Sequence, residues 1–253
     1  MCSEICDKTL FKIPWIKSIS EDCYNKAELV LEKIQAFSLF VREAIYVVDL
    51  FRGKIAFASE SLCSLCGVQI TDLANNGEDF FKQMVSEKDL PMVMEVKDSV
   101  VALFSQNSEF FGALYRMDFD FHLKIGKTEK LFHQRAISLL RTEEGKDWLV
   151  LFSLFPSRAK KAGNVTIQKM GEKDFLSYDF SLHDWKRNTM VRLTDNEKQI
   201  ITLSAYGFSG KEIADIMFRS YNTIKTYKRH LLRKLNAADM NEVIAYCNNH
   251  EML

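Results

Sequence analysis

Apolar residues between Glu21 and Val41 recur at helical spacing: Ala27, Val30, Leu31, Ile34, Phe37 and Val41 fall mostly three or four apart, which predicts an amphipathic helix. That helix suits packing either on the domain that follows it or on a partner subunit. From Ala44 the period changes. Ala44–Asp49 is rich in β-formers, Arg52-Gly53 marks a turn, and Lys54–Ala58 reads as a second strand. Ser59 is placed to cap a short helix that stops at Gly67, where left-handed geometry is easiest. Short helical and loop segments are expected up to Glu87. A longer helix over 90–104 then carries Val93, Val96, Val100 and Phe104 on one face. Three strand-like segments close the region, over 112–125, 129–141 and 147–155. In the first of them Met117, Phe119, Phe121 and Leu123 alternate with Asp118, Asp120, His122 and Lys124, the pattern of a half-buried antiparallel strand. Gly126 and Glu144-Gly145 fall where its hairpin turns belong.

After Pro156 the stretch 157–163 is basic and small, and no period is sustained as far as Arg192. Residues 157–189 are therefore read as a linker, with short ordered pieces around 175–185. Beyond it, cap residues mark four helices. Thr194-Asp-Asn-Glu197 and Ser209-Gly-Lys-Glu212 have the spacing at which a cap residue and its downstream Glu satisfy each other's free N–H groups. Gly207 falls where the first of these helices stops. Ser220 caps a third helix over 221–235, and Asp239-Met-Asn-Glu242 starts a fourth over 239–248.

Composition narrows the class. Apolar residues are 47% and charged residues 27% of 253, ordinary for a globular protein, and the formal net charge is zero. Any binding to nucleic acid must then come from a local basic surface. The longest uncharged runs, 61–71 and 199–210, fall short of the roughly 20 residues that cross a bilayer. Glu4, Asp7 and Lys8 precede no apolar stretch, so neither a membrane anchor nor a signal peptide is expected, and the cytoplasm is the expected compartment. The six cysteines are scattered, which suits a reducing compartment. Cys63-Ser-Leu-Cys66 has CxxC spacing, but no second Cys/His pair would complete a zinc site. It is read as two small residues on a partly buried helix, and no metal is assigned.

The third C-terminal helix carries the chemistry. Ile224, Tyr227, Leu231 and Leu235 form a core face. Around it stand Arg219, Lys225, Lys228, Arg229, Arg233 and Lys234, with no acidic residue between 219 and 234. Lys and Arg neutralise phosphates, and the interspersed Asn222, Thr223 and Thr226 hydrogen-bond phosphates or base edges. The short turn Phe218-Arg-Ser220 between the second and third helices is what a helix-turn-helix needs to project the third into the major groove of double-stranded DNA.

Leu193-Thr-Asp-Asn-Glu197, Ala205-Tyr-Gly-Phe-Ser-Gly-Lys-Glu-Ile-Ala214, Ser220-Tyr-Asn-Thr-Ile-Lys225 and Arg233-Lys-Leu235 closely resemble the LuxR/GerE-type DNA-binding domain. The resemblance covers residues 190–253. It implies that Lys225, Thr226 and Arg229 read bases, that Lys211 and Thr223 hold phosphates, and that the fourth helix dimerises. Asn222 and Lys228 are further candidate contacts. Tyr227 stands where the family usually has His, so that residue's contacts are not carried over. Glu197 is read as a helix cap and internal ion-pair partner, not as a catalytic group.

Upstream, over 40–156, two strands, short helices, a longer helix and three antiparallel strands resemble a PAS domain. Ser59-Glu-Ser-Leu62, Leu65-Cys-Gly67 and the segment Phe80 to Leu90 are similar to that family's segments. Val47-Val-Asp49 at a strand end suggests a phosphoacceptor, but three consecutive strands are the wrong topology for one. The resemblance implies a sensor that holds a ligand or mediates dimerisation. His122 and His133 are read as surface or hydrogen-bonded residues rather than haem ligands, and no Cys stands out for flavin attachment. No cofactor is assigned.

The expected fold class is therefore α+β: a PAS-like antiparallel sheet with flanking helices, preceded by a segment over 1–39 and linked to a small all-α four-helix helix-turn-helix domain. The expected function is that of a homodimeric transcription regulator. RNA polymerase and a small molecule in the PAS-like domain are further candidate partners. Rival readings are a protein-interaction adaptor and a sigma-like factor. An enzyme finds no nucleophile–base pair, phosphate loop or metal cluster in support.

Overall fold

The computed structural model describes residues 9–249 and Met252; Glu4, Asp7 and Lys8, on which the signal-peptide reading rests, lie outside the described residues. The chain divides into two compact units, one running to Pro156 and including Lys161–Arg187, the other built from Ser157–Lys160 and the residues from Asn188 onward.

The first unit begins with α1 (Glu21–Ser38), whose N-cap Ser20 accepts from Cys23 N–H. β1 (Ala44–Asp49), β2 (Lys54–Ala58), α2 (Glu60–Cys66), α3 (Ile70–Met84) and α4 (Leu90–Gln106) follow, then β3 (Tyr115–Ile125), β4 (Thr128–Arg141) and β5 (Asp147–Pro156). The order of elements read as PAS-like is the order observed. Ser59 caps α2, and Gly67 ends it at φ 71°. Where only short pieces were expected before Glu87, α3 is a full helix; its first turn is capped by Gln69 and Asp72, residues that carry no strong start signal.

The segment expected to be a linker instead contributes β6 (Thr166–Lys169), β7 (Asp174–Asp179) and β8 (Asp184–Thr189) to the same sheet, whose order is β2-β1-β5-β4-β3-β6-β7-β8. β6 pairs antiparallel with the free edge of β3, from Tyr115↔Lys169 to Asp118↔Thr166. Its order comes from that long edge rather than from its own sequence. On β7 the buried residues Phe175 and Tyr178 lie three apart, out of step with two-residue alternation, which is why no period was visible.

Alternate residues of β1 face opposite sides. Tyr46 and Val48 join the core under α2, α3 and α4, whereas Val47 joins Trp148 and Leu149 beneath α1, with Ala27 buried and Leu31 and Ile34 packed alongside. A polar clasp fixes α1. Asp49 accepts from Tyr24 Oη at 2.8 Å, Trp148 Nε1 at 3.1 Å, and the backbone N–H groups of Phe51 and Arg52. Asp49 is thus a buried structural acceptor, with every donor drawn from its own fold.

The polar side of β3 differs from the half-buried expectation. Arg116, Asp118 and Asp120 are all buried, as is His133 on β4. The His133 ring bridges both carboxylates, Nδ1 to Asp120 at 2.9 Å and Nε2 to Asp118 at 3.0 Å. Arg116 and Arg135 each reach Asp118 at 2.8 Å, and Asn164, just before β6, donates to Asp120 at 2.8 Å. With both nitrogens engaged, His133 is the hydrogen-bonded residue of the sequence reading. His122 pairs with Asp89 at 2.8 Å.

Burial opposes charge on His133, but the hydrogen bonds and charges of Asp118 and Asp120 outweigh it and raise its pKa. Burial likewise opposes charge on Asp118, and His133, Arg135 and Arg116 outweigh it, so its pKa is lowered. The contribution from His133 is therefore complete below its unfolded pKa of about 6.5 and lost as pH rises through the raised folded value. That from Asp118 is present above about pH 3.9 and lost as pH falls through its lowered folded value. The urea midpoint of the first unit is expected to fall between about pH 6 and pH 9, and His133→Gln to flatten that decline. A wild-type midpoint constant across this range would refute the protonated bridge.

Among the described residues the second unit holds four helices: α5 (Asp195–Ala205), α6 (Gly210–Ile216), α7 (Tyr221–Lys234) and α8 (Met240–Asn249). Thr194, Ser209 and Ser220 cap the first three, the first two with their reciprocal Glu197 and Glu212. Ile200, Ile201, Ile213, Ile224, Leu231, Val243 and Cys247 form its core. Among the described residues, no helix is long and apolar enough to cross a membrane.

Candidate functional site

The turn between α6 and α7 sets the projection of α7. Phe218 takes a left-handed φ of 52°; its N–H donates to Asp215 C=O at 3.2 Å, and Arg219 N–H donates to Ala214 C=O at 2.9 Å. This is the paired closure usually completed by glycine, here with an exposed Phe. Ser220 then caps α7 by accepting from Thr223 N–H at 3.1 Å. Two elements that each satisfy their own ends leave α7 free to show a full face.

On that face Asn222, Lys225, Thr226 and Arg229 are exposed and fall within an arc of about 100° at 3.6 residues per turn. The proposed base readers Lys225, Thr226 and Arg229 thus stand together. Arg233, absent from the sequence-derived contacts, is exposed on the same stripe one turn beyond Arg229. Its signal was the spacing of four from Arg229. Lys211 is exposed on α6. Thr223 is half-buried, with its hydroxyl 2.8 Å from Ser220 Oγ, which positions it at the helix start. Lys228 differs: it is half-buried at the margin of the core face, and burial lowers its pKa. Lys234 turns inward to Glu197 at 2.7 Å, the internal ion pair expected for that Glu.

These four helices match the family model described as bacterial regulatory proteins, luxR family, over residues 191–247. Residues 191–247 are a LuxR-family helix-turn-helix domain. This LuxR-type segment is 48% identical over 52 residues to the virulence-factor transcription regulator BvgA of Bordetella pertussis, a match covering 21% of this chain and 25% of that protein. It is 34% identical over 61 residues to the oxygen regulatory protein NreC of Staphylococcus carnosus, covering 24% and 28% respectively. The chain thus matches only about a quarter of these relatives' length. Among solved structures, VqmA of Vibrio cholerae is similar at 15% identity and TM-score 0.34, covering 87% of both chains. The PAS domain of Bordetella pertussis BvgS is similar at 10% identity and TM-score 0.34, covering 50% of this chain and 84% of that one. These likenesses are loose, and the LuxR-family assignment rests on the C-terminal residues.

The first unit contains a cavity of about 200 Å³ between α4 and the sheet. Its floor is one cross-strand row, Tyr46↔Phe152↔Ala136↔Met117↔Ile167, running from β1 through β5, β4 and β3 to β6. Ala136 sits at the centre of this row between the larger Phe152 and Met117 and lines the hollow. Val93, Val96 and Val100 of α4 form the roof. The walls are apolar apart from a few groups. Gln134 Nε2 donates to Tyr46 Oη at 3.0 Å, and the buried Ser138 Oγ has no hydrogen-bond partner among the described residues. Phe152, read from sequence as core, therefore also lines this space.

Cys63 and Cys66 are half-buried and unlinked on α2. Burial raises both thiols, that of Cys66 to about 11, which leaves them protonated and unreactive near neutral pH.

Proposed function

We propose that this chain is a sequence-specific DNA-binding transcription regulator of the cytoplasm, acting as a homodimer and not as an enzyme. The observation that carries this reading is the exposed basic stripe on α7, within a domain of the LuxR family. Lys225, Thr226 and Arg229 read base edges in the major groove. Arg233, Lys211 and Thr223 engage phosphates and set the register, with Asn222 adding a polar contact. Lys228, at the core margin, contributes only through its reach to the backbone. α8 buries Val243, Ile244 and Cys247 within the domain and leaves Asn241 and Asn248 exposed, a face available to a second copy.

The cavity supports a second part of the proposal, that the first unit senses a small molecule. A 150 Å³ apolar hollow is known to hold benzene, so about 200 Å³ admits a somewhat larger uncharged molecule. The first unit, with β6–β8 included, is then the sensor.

Selection from random duplex DNA with the full chain tests the central claim. Enrichment of a two-fold symmetric site, with affinity falling steeply as salt rises, is the expected result. Equal affinity for every duplex would overturn it.

A further inference from the structure

The hairpin of β7 and β8 packs its Tyr178 in one core with Val93 and Val96 of the cavity roof and is hydrogen-bonded to the roof helix through Glu95. Glu95 lies on α4 between the roof residues Val93 and Val96, and its Oε1 accepts from Tyr178 Oη at 2.9 Å and from His183 Nδ1 at 2.7 Å. Both donors come from the hairpin, far along the chain. Tyr178 is buried and contacts Phe180 and Trp185 edge-on, with centroids at 5.0 and 5.1 Å. Burial, then the Glu95 contact, pushes its phenol up to about 12, so it remains a donor. His183 closes the hairpin at φ 53°, a left-handed conformation uncommon outside glycine that His adopts more readily than most residues.

The same extension also holds the floor. Ile167 of β6 lines the cavity and pairs with Met117 of β3. Residues 166–189 are therefore part of the sheet through β6, β7 and β8 and hydrogen-bonded to α4 at Tyr178 and His183, and β8 runs at Thr189 directly into the chain that enters the LuxR-type domain.

We infer that the Glu95–Tyr178–His183 contact is a latch through which filling of the cavity is passed to the β7–β8 hairpin, and so to the segment leading into the DNA-binding domain. The inference rests on the sensor reading above. A molecule in the cavity alters the gap between α4 and the sheet. A shift of about 1 Å in α4 takes a 2.9 Å bond beyond hydrogen-bonding range, so the hairpin must either follow the helix or let go. Packed elements respond to such shifts in discrete steps rather than by smooth deformation. The His183 side chain is 70% exposed, and a polar contact so exposed contributes little to stability. That suits a contact made to be broken. Glu95 is a positioning residue here, and the roof residues touch the ligand.

Hydrogen exchange of the full-length chain, read by mass spectrometry over 174–189, tests the latch without requiring DNA. Glu95→Ala alone is expected to speed exchange in this segment roughly fivefold or more, and Glu95→Gln, which keeps the acceptor, to restore most of the protection. The cavity is then filled, either by Ala136→Phe or, should that variant not fold, by saturating benzene. Filling is expected to change exchange over 174–189 at least about threefold in the parent and by less than about 1.5-fold in Glu95→Ala. Unchanged exchange in Glu95→Ala, or equal responses in both backgrounds, overturns the latch. A chain that passes these tests but selects no DNA site would leave the latch standing and remove the proposed regulator function instead.

Discussion

A chain carrying Lys225→Ala and Arg229→Ala together is expected to bind its best DNA site roughly 30- to 20,000-fold more weakly than the parent. The range follows from about 1–3 kcal/mol of discrimination for each good contact to a base edge, counted for two side chains. Both residues are exposed on α7, so their truncation should leave stability within about 0.5 kcal/mol. Titrating the site and a scrambled duplex in parallel separates two causes. Loss of base reading collapses the ratio between the two duplexes. Loss of phosphate contacts alone weakens both equally and lowers the salt slope by about one per contact. Unchanged affinity for the site would remove α7 as the reading helix. Arg233→Ala, on the same stripe but assigned to phosphate, is expected to weaken both duplexes alike.

The second large effect concerns the frame that presents α7. Glu197 is buried at the start of α5, where it accepts from Thr194 N–H at 2.8 Å, Thr194 Oγ1 at 3.1 Å and Lys234 Nζ at 2.7 Å. One carboxylate thus caps α5 and ties it to the last turn of α7. Glu197→Ala is expected to cost about 2–3 kcal/mol, combining a lost reciprocal cap with a half-exposed lysine left unpaired. Glu197→Gln, which keeps an acceptor at the cap but not the ion pair, should fall between Ala and the parent. Exchange of the Ile200, Ile201 and Ile224 amides in the full chain would locate the loss in this unit. Burial opposes charge on Glu197, but Lys234 and Thr194 outweigh it and hold its pKa below the usual value. Its contribution is therefore present above about pH 4.3 and lost as pH falls through the lowered folded value. A Glu197→Ala chain as stable as the parent would mean that the ion pair and cap are replaced by water at no net cost.

The LuxR-type domain was legible because its signals are local. Thr194, Ser209 and Ser220 cap their helices within three residues of themselves, and Ile224 and Leu231 meet the core by helical period alone. The α1 stripe and the three long strands were readable for the same reason. The α7 stripe was only partly legible. Charge and spacing pointed to Lys225 and Arg229, yet nothing in the sequence separated Lys228, drawn to the core margin, or Lys234, turned inward, from basic residues that stay on the outer face. The inward turn of Lys234 depends on a partner, Glu197, that lies 37 residues away in sequence.

What the sequence by itself determined is thus the set of elements that periodicity, caps and turns specify within a few residues: the α+β class, the helix-turn-helix, and its basic third helix. Tertiary structure decided the rest. The weakly patterned 166–189 became strands because the edge of β3 offered unpaired backbone groups to pair with. Asp118, Asp120 and His133 are buried because each finds charge or hydrogen-bond partners from β3, β4 and the approach to β6, without which burial would be prohibitive. The cavity lies over a cross-strand row in which Ala136 falls between Phe152 and Met117, a juxtaposition set by register across three strands. Long-range pairing assigns partners to residues, and no local pattern records which partner a residue will meet.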